Sequence, residues 1–327
     1  MRRREFITLA AGAAIAGSRA TFAQSSSKVY RLGTLSPSAP IGEKSPFGTI
    51  LLKGLEQRGY TLGKNLAFDA RAAMGQVSKL PELVRGLKAS NVDVIVAIGF
   101  PTALACKVEN VPTVVAFGAG DPVATGLVDG LSRPGGSITG ISDTAATLST
   151  KRLALIKQAV PKLQRVAMLW NRDDLGMSLR YEASASSARS LGATVQPLGV
   201  REPDDFDGVF QAMDREPPDA ILLVADSLTS LNRKRVYDYA AEHHIPALYE
   251  YDFLVRDGGL MSYGPDLKES FERVADLAAR IFNGARPADL PFEQPTRYPF
   301  VINLKTAKAT GIELPANLVA LADEVIE

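Results

Sequence analysis

Short, nearly continuous aliphatic runs alternate along the chain with longer segments of helical period. That alternation is the pattern of βαβ units built on a parallel sheet. "VDVIVAIG" (92 to 99) and "VPTVVAFG" (111 to 118) are apolar at almost every position, as strands covered on both faces must be. Leu80, Leu83, Val84 and Leu87 stand three and four apart, which predicts an amphipathic helix with Ser78 as its N-cap and Pro81 in its first turn. Leu267, Phe271, Val274, Ala278 and Ile281 predict a longer helix, stopped at Asn283 and Gly284 with Pro287 beyond.

The pattern also repeats. "YRLGTLSPS" has a counterpart in "QRVAMLWNR", "NVDVIVAIGFPTALA" in "PPDAILLVADSLTSL", and "NVPTVVAF" in "HIPALYEY". The pairs Arg31 and Arg165, Asp93 and Asp219, Pro112 and Pro246 are displaced by 126 to 134 residues. Three strand-like segments recurring in one order imply two lobes of one topology, with a cleft between them.

In open parallel sheets a ligand sits beyond the carboxyl ends of the strands, where loops enter helices. The loops to inspect are therefore 36–38, 100–102 and 118–122 in the first lobe, and 171–173, 226–227 and 249–251 in the second. They supply Ser36, Phe100, Thr102, Gly118, Asp121, Asn171, Asp226 and Tyr249 as candidate ligand-binding residues. Hydroxyls near helix starts suit an anionic group, carboxylates a cation, and rings a stacked ligand. Trp170 reads equally well as core.

Composition narrows the function. Cys106 is the only cysteine, so no internal disulfide forms and stability must come from buried core. The 37 basic and 36 acidic residues balance, with no basic run, which argues against a nucleic-acid partner. The N-terminus is different. Arg2, Arg3 and Arg4 lead into an apolar stretch from Phe6 to Gly17, and Thr21, Phe22 and Ala23 make a small-residue exit ahead of Gln24. That is a removable export signal. Arg3, Arg4, Glu5, Phe6 and Ile7 match the twin-arginine pattern, and Arg19 disfavours the general secretory route, which remains the alternative. The apolar block stops short of the roughly 20 residues that a membrane span needs. The expected compartment is the periplasm, with cleavage near Ala23.

Other groupings carry no chemistry. His243 and His244 are adjacent on a predicted helix, point about 100° apart and make a poor metal pair. Cys106 reads as a small buried hydrophobe. "FGAGDPVATG" lacks both the third glycine of a dinucleotide loop and the lysine of a phosphate loop. Asp121 and Asp226 have no accompanying base, nucleophile or metal set. The sequence thus predicts no catalytic residues, no metal and no cofactor.

Over essentially its whole exported length the chain resembles the ABC-transporter substrate-binding family that includes tryptophan- and tyrosine-type binding proteins, a branch of the type I periplasmic binding proteins. The likeness is carried by "RLGTLSP" (31 to 37), "VDVIVAIGFPTALA" (92 to 105), "GDPVATGLVDGLSRPGGSITGIS" (120 to 142), "KRLALIKQAVP" (151 to 161), "GGLMSYGPDL" (258 to 267) and "QPTRYPFVINLKTAKATGIELP" (294 to 315). The resemblance implies an α/β fold of two Rossmann-like lobes with parallel sheets joined by a three-strand hinge. It implies crossings near Ser142 and Asp143, near Met261 and near Pro295, so that 28–142 plus 262–294 form one lobe and 143–261 plus 295–327 the other. Asp143 and Tyr263 join the candidate ligand set on this map, with Tyr263 pointing at the cleft. A monomer that closes on a small-molecule ligand and delivers it to an inner-membrane ABC permease is the implied role. The family often reads Gly-Thr-Pro-Ala where this chain has Gly99, Phe100, Pro101 and Thr102, so ligand identity is not carried over. A zwitterionic amino acid, aromatic in kind, is expected ahead of a neutral amide or an aromatic carboxylate. An exported sensor for a membrane kinase and an exported enzyme on the same scaffold are the alternatives; a repressor-like regulator would need a helix-turn-helix where the leader stands.

Overall fold

The computed structural model describes residues 28–142 and 145–327. The predicted export signal and Asp143 lie outside the described residues.

Among the described residues twelve strands fall into two sheets. β1 (Tyr30–Ser36), β2 (Leu66–Ala72), β3 (Val94–Ile98), β4 (Thr113–Phe117) and β5 (Ile138–Gly140) form the first, in the order β2-β1-β3-β4-β5. β6 (Arg165–Asn171), β7 (Thr194–Val200), β8 (Ala220–Leu223), β9 (Ala247–Tyr249), β10 (Met261–Tyr263), β11 (Phe300–Asn303) and β12 (Glu324–Ile326) form the second. Read from its β7 edge, that sheet runs β7-β6-β8-β9-β10 before β11 and β12 are added. The two halves of the chain therefore fold to one strand order, and the three sequence pairs occupy equivalent strands: β1 and β6, β3 and β8, β4 and β9. Pairing is parallel throughout except between β10 and β11.

Both sheets are covered on both faces, which explains the continuous aliphatic strands. In β3, Val94, Val96 and Ile98 face α1 (Pro46–Glu56) and the helix Leu267–Phe282, whereas Ile95 and Ala97 face α2 (Leu80–Ala89) and α3 (Phe100–Val108). The second sheet packs α4 (Ala145–Ala159) and α5 (Leu175–Ser190) on one side. On the other lie α6 (Asp205–Arg215), α7 (Ser227–Leu231), α8 (Arg233–Glu242) and α9 (Asp252–Arg256). The helix Leu267–Phe282, α10 in chain order, starts at an N-cap Asp266 whose carboxylate accepts from the amides of Lys268 and Glu269. It runs from the second sheet back to the first, and β11 returns after an isolated bridge between Ile141 and Glu293. β10 keeps Ser262 and Tyr263 paired with Val301 and Phe300, so the middle passage between sheets follows Tyr263.

One local expectation differs. Ser78 does not cap the helix at Leu80; residues Val77–Lys79 form a 3₁₀ turn that leads into it, and Pro81 occupies the first α turn where its missing N–H costs nothing. Among the described residues no helix is long and apolar enough to cross a membrane.

Candidate functional site

A cavity of about 230 Å³ lies between the carboxyl ends of the two sheets. The first lobe contributes Pro37, Ser38 and Ala39 after β1, Ile98, Gly99 and Pro101 where β3 enters α3, and Phe117 and Gly118 after β4. Gly99 turns with φ 79°, which a side chain would resist, and the Phe100 amide just beyond it donates to the Gly118 carbonyl at 3.1 Å. The second lobe contributes Asp174 at the start of α5, Ala225, Asp226 and Ser227 after β8, Ser230, Leu231 and Arg233 around α7, and Tyr251 and Phe253 after β9.

Two carboxyls face one cavity. Asp226 caps α7: its Oδ1 accepts from the Thr229 amide at 2.8 Å and from the Thr229 hydroxyl at 2.9 Å, while its Oδ2 accepts from Asn171 Nδ2 at 2.6 Å. Asp174 caps α5, its Oδ1 accepting from the Met177 amide at 3.1 Å. Burial pushes the Asp174 carboxyl up to about 7, and the nearby Asp226 charge pushes the same way. Burial also raises Asp226, against the hydrogen bonds from Thr229 and Asn171 that favour its ionised form. Arg233 supplies a cation at the rim, with Nε on Asp257 at 2.6 Å and one terminal nitrogen on the Ser230 carbonyl at 2.8 Å. Phe117 meets Tyr251 edge-on across the lobes at 5.4 Å, and Tyr251 lies parallel to Phe253 at 5.8 Å. The wall is thus aromatic on one side and acidic on another.

The raised Asp174 carboxyl has a consequence for stability. A folded-state value above the unfolded one means that the native protein binds the proton more tightly, so stability rises as pH falls from about 7 towards 4. Between pH 7.5 and 5 the wild type is expected to gain on the order of 2 kcal/mol relative to Asp174→Asn, read by urea unfolding at both pH values. Parallel pH profiles for the two proteins would contradict this.

Beneath the cavity floor sits a buried ion cluster. Glu250 is 1% exposed; its Oε1 accepts from Arg152 at 2.6 Å and its Oε2 from Arg180 at 2.5 Å. Oε2 also accepts from the Ala225 amide at 2.9 Å, and Arg152 Nε donates to the Tyr263 carbonyl at 2.7 Å. The cluster joins α4, α5 and the end of β9 to the last residue of β10, where the chain leaves for the first lobe. It connects the cavity floor to the crossing segment.

The sequence candidates divide. Gly118 and Asp226 line the cavity, and Asn171 stands behind Asp226 and orients it. Ser36 is one step removed, its hydroxyl 3.2 Å from that of Ser38. The others point elsewhere. Phe100 is buried with α2 and α3, and Thr102 is fully buried with no hydrogen-bond partner for its hydroxyl among the described residues. Asp121 is exposed and turned to the amides of Val123 and Ala124 at 2.9 and 3.1 Å. Tyr249 is core, edge-on to Tyr237 at 5.2 Å; Tyr251, in the loop beyond β9 that caps α9, reaches the cavity instead. Tyr263 packs near Tyr298 at 6.4 Å and offers the crossing its carbonyl, not its ring. Trp170 stacks on Tyr181 at 3.6 Å, away from the cavity lining. Asp174, Arg233 and Phe253 were not singled out by the sequence. Only Asp174 carried a legible signal, an acid at N-cap spacing ahead of "LGMS".

A family model described as ABC transporter substrate binding protein matches residues 48–326. The chain is 24% identical over 264 residues, 80% of its length and 75% of the relative's, to a tyrosine-binding protein of Clostridioides difficile. A conserved domain protein of Vibrio cholerae superposes with a TM-score of 0.83 at 26% identity, covering 91% of this chain and 100% of the other. The ABC domain of a Streptococcus pneumoniae protein in complex with L-Trp superposes with a TM-score of 0.81 at 24% identity, covering 91% and 99%.

Proposed function

The chain belongs to the family of ABC transporter substrate-binding proteins, and from that premise we propose that it is an exported receptor for an aromatic amino acid. It captures the solute between its lobes and hands it to an inner-membrane ABC permease. The observation that carries this reading is the cavity itself, in which two carboxyls and three aromatic rings face the same small space. The lining matches a zwitterion with a ring: an ammonium beside Asp226 and Asp174, a carboxylate toward Arg233, and the ring among Phe117, Tyr251 and Phe253. An aromatic acid without the ammonium would meet two acidic groups and gain nothing from them. The names of two relatives, one tyrosine-binding and one seen with L-Trp, point the same way.

The chain crosses between lobes three times, and closure about those crossings encloses the ligand. The lobes are 28–142 with 264–294 and 143–263 with 295–327; the middle crossing, expected near Met261, lies after Tyr263, because β10 stays paired in the second sheet to that residue. The N-terminal segment directs export by the twin-arginine route, is cleaved near Ala23 and leaves a periplasmic monomer.

A thermal-shift screen of the chain from Gln24 onward tests the reading. Tryptophan, tyrosine or phenylalanine at a hundred times its dissociation constant should add about 2.7 kcal/mol of stability, and benzoate, nucleobases and small amides should add none. A shift confined to benzoate or to nucleobases would replace the amino acid with that class.

A further inference from the structure

At one point the two lobes touch where neither carries a side chain. Gly120, in the loop after β4, stands against Gly176, in the first turn of α5. A Cβ on Gly120 would lie 3.0 Å from the Gly176 Cα and 3.1 Å from its carbonyl oxygen. A Cβ on Gly176 would lie 3.0 Å from the Ala119 carbonyl oxygen and 3.2 Å from Asp174 Oδ1. The nearest atoms across the lobes are backbone on both sides, so no flexible chain end is available there to yield. The contact adjoins the cavity on both sides, since Gly118 and Asp174, each two residues away, line it. Where the lobes approach at Gly75, the nearest neighbour is the Leu231 side chain at 3.3 Å, which can turn aside.

We propose that Gly120 and Gly176 form a steric latch that permits full closure of the lobes, because the absence of both side chains lets the loop after β4 seat on the start of α5. The inference rests on the reading that the lobes close around a solute. A methyl group at position 176 would hold the loop off the helix and keep Gly118 and Asp174 from reaching the solute together. Affinity scales with the fraction of protein that can adopt the closed state, so a tenfold loss of that state raises Kd about tenfold. Folding is not at risk, since alanine is the better helix former at a position with no positive φ.

Pulsed EPR distances between spin labels at Val108→Cys and Arg201→Cys test the latch. Both sites are exposed, one on each lobe, and Cys106 is buried and escapes labelling. The empty protein is expected to show a short-distance population that Gly176→Ala loses and Gly208→Ala keeps; a Cβ on Gly208 meets nothing within 4 Å. The same short population in Gly176→Ala and wild type would overturn the latch. The amino-acid reading fails separately, by an absence of binding heat when L-tryptophan, L-tyrosine and L-phenylalanine are titrated into the wild type, and the comparison of the empty proteins decides the latch in either case.

Discussion

Glu250→Ala is expected to lower stability by about 3 to 5 kcal/mol, the range for breaking a buried ion pair from one side. The carboxylate is shared by Arg152 and Arg180, both almost fully buried, and also receives the Ala225 amide. Its removal takes one acceptor from three donors at once, in a region closed to water. At roughly 2 to 4 °C per kcal/mol for a domain of this size, the midpoint should fall by about 10 °C. Glu250→Gln keeps the shape and some acceptor capacity and should fall less. A drop under about 2 °C for the alanine variant would mean that the cluster contributes little beyond its own desolvation cost, as buried pairs sometimes do.

The second large effect concerns affinity. Asp226→Asn leaves a residue that caps a helix as well as aspartate does, so α7 and the fold should persist. What disappears is the negative charge opposite a ligand ammonium. A hydrogen bond to a charged group is worth about 1.5 to 3 kcal/mol, so binding of an aromatic amino acid should weaken by about ten- to a hundredfold, while the empty protein stays folded with a small fall in its melting midpoint, because the Asn171 amide loses its acceptor. Unchanged affinity would move the ammonium elsewhere in the cavity, with Asp174 the next group to replace.

Much of this architecture could be read from the order of residues. The aliphatic runs at 92–99 and 111–118 became β3 and β4, and the three displaced pairs became equivalent strands in two sheets of matching order. The loops that build the cavity were legible for the same reason, because each follows a strand. Which residue of a loop faces the cavity was not. Tyr251 lines it and Tyr249 is core because β9 ends at Tyr249, inside the sheet, whereas Tyr251 stands in the loop beyond it as the N-cap of α9. Asp121 turns to its own backbone amides, a local alternative that a loop aspartate always has. The Glu250 cluster was invisible for another reason. Its arginines lie 98 and 70 residues from the glutamate, and nothing in the local pattern distinguishes a buried arginine on α4 or α5 from a solvated one.

The acidic and aromatic walls of one small cavity are the basis for assigning an amino-acid ligand, and a matched pair of compounds separates the two contributions. Isothermal titration of the wild type with L-tryptophan and with indole-3-propionate, which has the same ring and carboxylate but no amine, measures the ammonium directly. One-site binding of tryptophan, with the desamino compound at least about tenfold weaker, is the predicted result. Equal binding of the two, or preference for the compound without the amine, would contradict the assignment.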